Sequence, residues 1–168
     1  LVPLSFTADT FSGLSELAGL SLSIGISSGL KGERYGACCF NEDALVTHKG
    51  LSGPAILQAS SYWVEGEPIQ IDWLKNFDQS GALRFDEVFN DDRHRLKLTE
   101  TILASVLPQR LAKAFADQGN LSGRKWVEIS KKDRQALKEL LTSWSVKPAG
   151  TLGWKKAEVM LGGVSTKD

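Results

Sequence analysis

The feature that most constrains the fold is a change in hydrophobic period partway along the chain. Residues Leu20 to Ser27 alternate strictly between apolar and small side chains, which is the period-two pattern of a half-buried β-strand. The same alternation returns at Ile69 and Ile71. From about Lys75 the apolar residues instead recur at helical spacing. This change favours a β-rich part followed by a helical part.

We therefore predict an α+β fold in which a helical bundle is inserted into a small β-barrel-like body. The body, with an antiparallel or mixed sheet, is predicted to contain residues 1–74 and 145–168, and the helical subdomain residues 75–144. Further strands are predicted at 1–8, 34–40, 44–47 and 154–164, with a turn at 41–43. The predicted core of the helical subdomain contains Leu103, Val106, Leu111, Phe115, Leu137, Leu140, Leu141 and Trp144. Thr99 and Ser130 are the predicted N-caps of two of its helices.

The densest group of turn and cap signals lies in the sequence LVTHKGLSGPAILQASSYW, which begins at Leu45. A strand is predicted to end at Thr47-His48, followed by a glycine-rich turn from Gly50 to Gly53. A helix then follows, with Ser52 as N-cap and Pro54 near its first position. Such a segment is either an active-site loop or a structural corner. A lone histidine at a strand end is usually structural, but beside free helix N–H groups His48 could face an anionic or electron-rich ligand.

The sequence lacks the motifs that several classes of enzyme require. A nucleophile elbow needs Gly-x-Ser-x-Gly, whereas the sequence continues from Gly53 to Pro54. The spacing of Gly25, Gly29 and Gly32 does not match the dinucleotide fingerprint. The chain alone therefore shows no way to hold a nucleotide cofactor.

The remaining composition indicates an ordinary protein of a reducing compartment. Two scattered histidines and the adjacent pair Cys38-Cys39 do not make a metal site, so we predict no metal and two buried free thiols. No apolar stretch approaches the ~20 residues of a membrane span. We therefore predict no membrane association and a cytoplasmic location.

Charge is distributed unevenly although the formal net charge is zero. Residues 1–76 contain 4 basic and 8 acidic side chains, whereas residues 97–144 contain 9 basic and 5 acidic ones. Lys131, Lys132 and Arg134 cluster near one predicted helix start and are candidates for nucleic-acid contact. A solvated helix face is the alternative interpretation of this cluster.

Three segments, LVPL at the start, THKGLSGPAILQASSYW in the middle and AEVMLGGVST at the end, resemble the BaiN/RdsA-type family of bacterial FAD-dependent oxidoreductases. The resemblance spans the whole chain and is to the insert, or middle, domain of that family, which divides a FAD-binding domain. It implies NAD(P)H-dependent reduction through flavin in the parent protein. Members are linked to reduction of unsaturated substrates, either steroid-like acids or a uridine in ribosomal RNA; the basic helices fit RNA better.

The same resemblance implies roles for particular residues and partners. FAD belongs to the full-length parent, and the isolated chain is expected to bind none and to contain no catalytic residue. The expected partners are the FAD-binding domain of the same parent chain and ribosomal RNA. The candidates for a surface facing substrate or flavin are Thr47, His48, Gly50, Ser52, Gly53, Pro54, Gly162 and Gly163. Since an insert leaves and re-enters its host, Val2–Leu4 should lie near Val159–Leu161. The alternative is a non-catalytic interaction module that contacts RNA through its basic helices.

Overall fold

An antiparallel sheet forms the centre of the fold. The structure, a computed structural model, describes residues 1–28, 38–75 and 80–159, without the side chains of residues 11 and 12. Within these ranges the strands are β1 (Leu4–Ser5), β2 (Ser21–Ser28), β3 (Cys38–Thr47), β4 (Gly50–Ser52), β5 (Ile69–Asp72), β6 (Trp144–Val146) and β7 (Gly150–Thr151). They form one sheet in the order β6-β5-β2-β3-β4-β1-β7, and every pairing is antiparallel.

Helices occupy most of the chain between β5 and β6. The α-helices are α1 (Ala8–Ser15), α2 (Pro54–Ser60), α3 (Gly81–Phe89), α4 (Thr99–Leu103), α5 (Gln109–Gln118) and α6 (Lys131–Thr142). Short 3-10 turns cover Asp92–His94, Trp126–Glu128 and Trp154–Lys156. The predicted α+β class is confirmed.

The sheet is open rather than closed over the described residues. Its two edges are β6, which pairs with β5, and β7, which pairs with β1. Both edge strands are short, with three and two residues, so they offer few backbone groups for a further pairing. The barrel-like body of the sequence prediction is thus a single open antiparallel sheet in this part of the chain.

Strand β2 lies in the middle and has the alternation that its sequence predicts. Ile24 and Ile26 are buried, and Ile26 lies opposite both Phe40 of β3 and Ile71 of β5. The predicted turn at 41–43 is wrong, because these polar residues pair with β2 and continue strand β3. A long neighbouring strand therefore outweighs the local preference of Asn41 and its neighbours for a turn.

One hydrophobic core joins the sheet and the helices. Trp73, which follows β5, is 1% exposed and makes an edge contact with Phe115 of α5 at 5.6 Å between ring centroids. Its ring also lies 5.6 Å from that of Trp144 at the start of β6. Of the predicted helical core, five residues are buried: Leu103, Leu111, Phe115, Leu137 and Leu141. Val106, Leu140 and Trp144 are only partly buried, since they lie at the margin of this core.

Two sequence assignments outside the core need correction. Ser130 is the N-cap of α6, as predicted, but Leu98 rather than Thr99 precedes α4. Thr99 is instead buried and donates its hydroxyl proton to the Arg124 carbonyl at 3.0 Å. Residues Trp154–Lys156 form a 3-10 turn and not the predicted strand, because Lys156 N–H bonds locally to Gly153 O. The rest of that predicted strand, from residue 160, lies outside the described residues.

The cysteines also differ from the prediction of buried thiols. Both Cys38 and Cys39 are free, as expected, but Cys38 is half-buried and Cys39 is exposed. They are the first residues of β3, at the outer end of its pairing with Ser27 and Ser28 of β2, where alternation turns Cys39 outward.

The two ends of the described chain lie side by side, as predicted. The Leu1 nitrogen donates to the Val159 carbonyl at 2.7 Å, and the Glu158 N–H donates to the Leu1 carbonyl at 3.0 Å. Leu152 N–H donates to the Pro3 carbonyl at 3.0 Å, next to the β1–β7 pairing. The predicted neighbours Met160 and Leu161 lie outside the described residues. Among the helices that the structure describes, none has the length and apolar character needed to cross a membrane.

Candidate functional site

The candidate segment from Thr47 to Pro54 forms a tight hairpin followed by a helix start. Thr47 lies opposite Gly50 in the β3–β4 pairing, so His48 and Lys49 are the two turn residues. The Thr47 hydroxyl donates a hydrogen bond to the Gly50 carbonyl at 2.9 Å and closes the hairpin. The prediction of a glycine-rich turn beginning at Gly50 is wrong, because this residue starts β4, which pairs with both β1 and β3.

Close backbone contacts explain both glycines of this segment. A Cβ atom on Gly50 would lie 2.0 Å from the Leu4 carbonyl oxygen in the neighbouring strand. Gly53 has a φ of +90°, and a Cβ atom there would lie 2.8 Å from the Asp43 carbonyl oxygen. Any residue other than glycine would therefore clash at either position. The packing of β1 and β3 accounts for these glycines without a ligand.

The side chains that this corner offers to a ligand are few. His48, Lys49 and Pro54 are exposed, and Ser52 is half-buried. Gly53 rather than Ser52 is the N-cap of α2, since Ser52 belongs to β4, whereas Pro54 is the first helical residue as predicted. The exposed imidazole and ammonium groups side by side can donate hydrogen bonds to an anionic or electron-rich ligand.

The hairpin tip lies at one end of β1. Phe6 N–H donates to the Lys49 carbonyl at 3.2 Å, so the tip lies at the end of β1 away from Leu1. From there β4 runs antiparallel to β1, back towards the start of the chain. A flavin-facing orientation of this corner stays a prediction. Gly162 and Gly163, the other two candidates, lie outside the described residues.

A second candidate surface arises where two separate segments pair. We call residues 95–98 together with residues 124–127 the basic ribbon. Leu98 lies directly opposite Lys125 in an antiparallel bridge. The backbone hydrogen bonds run from Thr99 N to Arg124 O (2.9 Å), from Trp126 N to Lys97 O (3.0 Å) and from Val127 N to Arg95 O (3.0 Å). The pairing brings three exposed cations, Arg95, Lys97 and Lys125, onto one short structure.

Trp126 fixes the basic ribbon to the helical core. Its ring is buried against Phe85 and Phe89 of α3, and its Nε1 donates to the Phe89 carbonyl at 2.7 Å. The Cζ atom of the Arg134 guanidinium lies 4.6 Å from the centroid of the Trp126 ring. The same guanidinium donates to the Trp126 carbonyl at 2.7 Å and to the Ile129 carbonyl at 3.0 Å. These contacts hold the ribbon backbone in one arrangement.

The three predicted nucleic-acid residues therefore fall into two groups. Lys131 and Lys132 are exposed in the first turn of α6, where no ion pair with either is found among the described residues. Arg134 is half-buried and uses its N–H groups on the two backbone carbonyls. The three residues share one helix start, but Lys131 and Lys132 are exposed whereas Arg134 bonds to backbone carbonyls.

Two carboxylates near the helical part have shifted pKa values. The side-chain hydrogen bonds from Arg93 lower the pKa of Asp91 to about 2, and the Arg93 backbone N–H adds to the effect. Burial raises the pKa of Asp72 above its ordinary value, although Gly81 and Leu74 N–H groups bonded to it act in the opposite direction. Both bonds to Asp72 are 3.0 Å long; the bond from Leu74 is local, and the bond from Gly81 connects β5 to the start of α3. These carboxylates organise the backbone rather than a reaction site.

The cations of the basic ribbon were not individually predicted. The charge excess over residues 97–144 includes Lys97 and Lys125, so the sequence did contain a signal. Arg95 falls just outside that range. The two segments are about 25 residues apart, and period-based analysis detects only neighbours within one element.

Within the described residues we identify no group of side chains that would hold FAD or a metal ion. The sequence has no Gly-x-Gly-x-x-Gly turn for the pyrophosphate, and β2 leads into residues outside the described part. In the ranges that the structure covers, no group of three His, Cys, Asp or Glu side chains is placed to hold a metal ion. No reaction step is therefore derived through either group.

Comparison with known protein families gives the class of this chain. The family profile described as "HI0933-like protein barrel and H2TH domain" matches residues 1–159. The chain belongs to this family.

Two curated relatives align with nearly the whole chain. A protein of Escherichia coli K12 named ribosomal RNA dihydrouridine synthase is 36% identical over 170 residues, which cover 100% of this chain and 40% of the relative. A protein of Haemophilus influenzae with the same name is 34% identical over 169 residues, covering 99% of this chain and 39% of the relative. The chain thus spans about two fifths of the length of these relatives. The BaiN/RdsA-type resemblance found from the motifs is confirmed at the level of the family.

Proposed function

We propose that this chain is the insert domain of a longer, FAD-dependent oxidoreductase that uses NAD(P)H to reduce a uridine in ribosomal RNA. The observation that carries the proposal is the alignment of the whole chain, at 36% identity, with a protein named ribosomal RNA dihydrouridine synthase. The alignment covers only two fifths of that relative, so the flavin-binding part would lie in the remainder of the parent chain. A cytoplasmic location follows from the substrate and is part of the same proposal.

In this proposal the chain supplies substrate contacts and orientation, whereas the redox chemistry belongs to the bound flavin. The lack of a pyrophosphate-binding turn in the sequence supports this division, because the chain would need a second domain to hold FAD. The close approach of Leu1 and Val159 also supports it, since an inserted domain connects to its host through two adjacent strands.

The hairpin corner is proposed as part of the wall facing substrate or flavin. His48 and Lys49 extend from a tip whose backbone is fixed by the Thr47–Gly50 hydrogen bond, so both side chains are presented by a rigid element. Gly162 and Gly163, outside the described residues, are proposed as further candidates for facing substrate or flavin. The expected role of His48 is binding and orientation of substrate rather than catalysis.

The test compares this chain with the full-length parent protein. The full-length protein should be yellow, release FAD on denaturation and convert uridine to dihydrouridine in ribosomal RNA when NAD(P)H is supplied. Mass spectrometry of nuclease-digested RNA detects the product as the gain of two hydrogens. The 168-residue chain should purify colourless. Stoichiometric FAD on the isolated chain would contradict the assigned division of labour.

The alternative function is a non-catalytic interaction module. The exposed cations of the basic ribbon are compatible with it, because a binding surface requires no cofactor. A full-length protein that binds RNA but purifies without flavin and forms no dihydrouridine would favour this alternative over the enzyme.

A further inference from the structure

We propose that the exposed side chains of the basic ribbon form an RNA-binding surface that combines cationic and apolar groups. The inference rests on the proposed function, because it names the surface with which that protein would hold its RNA. The ribbon was not predicted as a site from the sequence, and it is separate from the hairpin corner.

The backbone pairing determines which side chains point outward. The hydrogen bonds on either side of the Leu98–Lys125 bridge make it a non-hydrogen-bonded pair, in which both side chains lie on one face. Leu96 lies in the turn before Leu98, and Val127 lies in the 3-10 turn Trp126–Glu128; both side chains are exposed. The buried residues Thr99 and Trp126 point the opposite way, into the core.

Three apolar side chains of the basic ribbon are exposed. Leu96 is 71% exposed, and Leu98 and Val127 are each 37% exposed. Single exposed apolar residues are normal, but three on two short paired segments are typical of a binding surface. Their partner must therefore offer some apolar surface.

The basic ribbon also exposes cations. Arg95, Lys97 and Lys125 are exposed and form no ion pair within the described ranges. Three of the neighbouring carboxylates bond to other groups: Asp91 to Arg93, Glu100 to the Gly123 N–H at 3.1 Å, and Glu128 to the Lys125 N–H at 3.1 Å. The partner must therefore also be anionic.

RNA matches both requirements. Its phosphates pair with Lys and Arg, and its sugars and unstacked bases offer apolar surface to aliphatic side chains. The ribbon is also preorganised by Trp126 and Arg134, so little ordering is needed on binding. Lys131 and Lys132 follow four and five residues after Val127 and extend the cationic region. Arg134 is a positioning residue in this account.

The experiment uses the full-length protein and fluorescently labelled fragments of ribosomal RNA. Lys97→Gln and Lys125→Gln should each weaken binding several-fold and reduce the slope of log affinity against log salt by about 0.7–1. Lys113→Gln is the matched control, because Lys113 is an exposed lysine of α5 outside the ribbon. This control should leave both quantities within error of the wild type.

Variants of the apolar residue Leu96 and of the positioning residue Arg134 should weaken RNA binding without changing its salt dependence. Leu96→Ser should weaken binding without changing the salt slope, whereas Leu83→Ser, at an exposed leucine of α3, should have no effect. Arg134→Lys, which cannot hold both carbonyls in the same way, should weaken binding, leave the salt slope unchanged and reduce protection of the Trp126 and Val127 amides in hydrogen exchange.

The possible failures are distinguishable. Equal losses for Lys97→Gln and Lys113→Gln would mean that only overall charge matters and would overturn the ribbon proposal. Preferential binding of the ribbon to anionic lipid vesicles or to an acidic protein instead of RNA would also overturn the ribbon proposal. A protein that forms dihydrouridine with unchanged RNA affinity in all ribbon variants would overturn the ribbon but keep the enzyme. RNA binding that depends on the ribbon, in a protein that contains no flavin and forms no dihydrouridine, would keep the ribbon proposal but overturn the proposed enzyme.

Discussion

At the scale of single residues, the motif glycines show how a segment can look functional for structural reasons. Gly50 lies where β1 and β4 come so close that no Cβ atom fits beside the Leu4 carbonyl. The sequence indicates a conformational or steric requirement at such a glycine, but not whether a ligand or a backbone imposes it. Here the neighbouring strand imposes it, so the proposed ligand contacts of this corner are the exposed His48 and Lys49 instead.

Replacing Gly50 should therefore reduce stability directly. We expect Gly50→Ala to lower the free energy of unfolding by roughly 1–3 kcal/mol or more, because a backbone carbonyl must move to admit the methyl group. Gly13→Ala in α1 is the control, since nothing lies within 4 Å of a Cβ atom there. That change should be neutral or stabilise the protein by about 0.5–1 kcal/mol. Urea denaturation measures both, and a harmless Gly50→Ala would contradict the described β1–β4 packing.

The Asp91–Arg93 pair gives a prediction for pH. Its hydrogen bonds lower the folded-state pKa of Asp91 from an ordinary value of 3.8 to about 2. Since this pKa is lowered on folding, the pair favours the folded state above pH 3.8, and the contribution is lost as the pH falls towards 2. In Arg93→Ala the carboxyl should titrate near its ordinary value. Carboxyl NMR shifts followed through acid titration measure it; an Asp91 pKa that does not change on mutation would refute the assigned cause.

At the scale of elements, the helical repeat of α6 predicts the helix but determines its buried face only approximately. Leu137, Leu140 and Leu141 share one face by spacing, yet Leu137 and Leu141 are buried and Leu140 is partly exposed. A helix rotated by a few tens of degrees keeps the same pattern. The direction from which β5 and β6 approach decides which leucine lies deepest, and that direction is a tertiary property.

Two truncations in α6 should therefore differ in cost. Leu141 is fully buried, so Leu141→Ala should cost ~2–5 kcal/mol of the unfolding free energy. Leu140 is partly buried, so Leu140→Ala should cost clearly less, because part of the lost methyl surface was already in water. Chemical denaturation of both variants in the same buffer provides the comparison. Equal costs, or a larger cost at Leu140, would show that the helix is rotated from the described orientation.

Elements with strong local patterns were predictable, and elements made by distant pairing were not. The alternation of β2, the β5 strand and the Ser130 cap of α6 follow from short stretches of sequence. The polar half of β3 and the basic ribbon exist because other segments lie beside them. The same limit applies to the site: residues of the hairpin corner could be selected from their motif, whereas Arg95, Lys97 and Lys125 needed the three-dimensional pairing.

At the scale of the whole molecule, the shared core determines how the chain unfolds. The two predicted parts, the β-rich body and the helical subdomain, meet around Trp73, whose ring contacts Phe115 of α5 and Trp144 of β6. Asp72 also bonds to the Gly81 N–H at the start of α3. Melting the helices would expose Trp73 and its neighbours on the sheet, so the two parts stabilise each other.

We therefore expect one cooperative unfolding transition. Far-UV circular dichroism, which reports mainly the helices, and tryptophan fluorescence, which reports the environments of Trp73 and the other four tryptophans, should give the same urea midpoint. Trp73→Phe should lower both midpoints together. Two separated transitions, with the helical signal lost first, would instead mean that the helical part folds on its own and that the shared core contributes little.

The surface beside the chain ends carries an exposed tryptophan. Trp154 is 80% exposed in its 3-10 turn, close to where Glu158 bonds to Leu1. A large aromatic side chain so exposed is uncommon, and in the proposed parent protein the neighbouring flavin domain would emerge from this side. We expect that domain to cover Trp154. In the isolated chain, then, Trp154 should be the most accessible of the five tryptophans to acrylamide.

Trp154→Phe isolates its signal, because the loss of quenchable emission on mutation measures how far acrylamide reaches this one ring. That loss should be large in the isolated chain and small in the full-length protein, where the flavin domain would shield the indole. Trp144→Phe is a control from the opposite edge of the sheet, since the half-buried Trp144 starts β6, whereas the chain ends lie beside β1 and β7. An equal loss for Trp154 in both proteins would mean that the flavin domain lies elsewhere. The adjacent chain ends would then mark only the two connections, and the hairpin corner or another face would have to provide the domain contact.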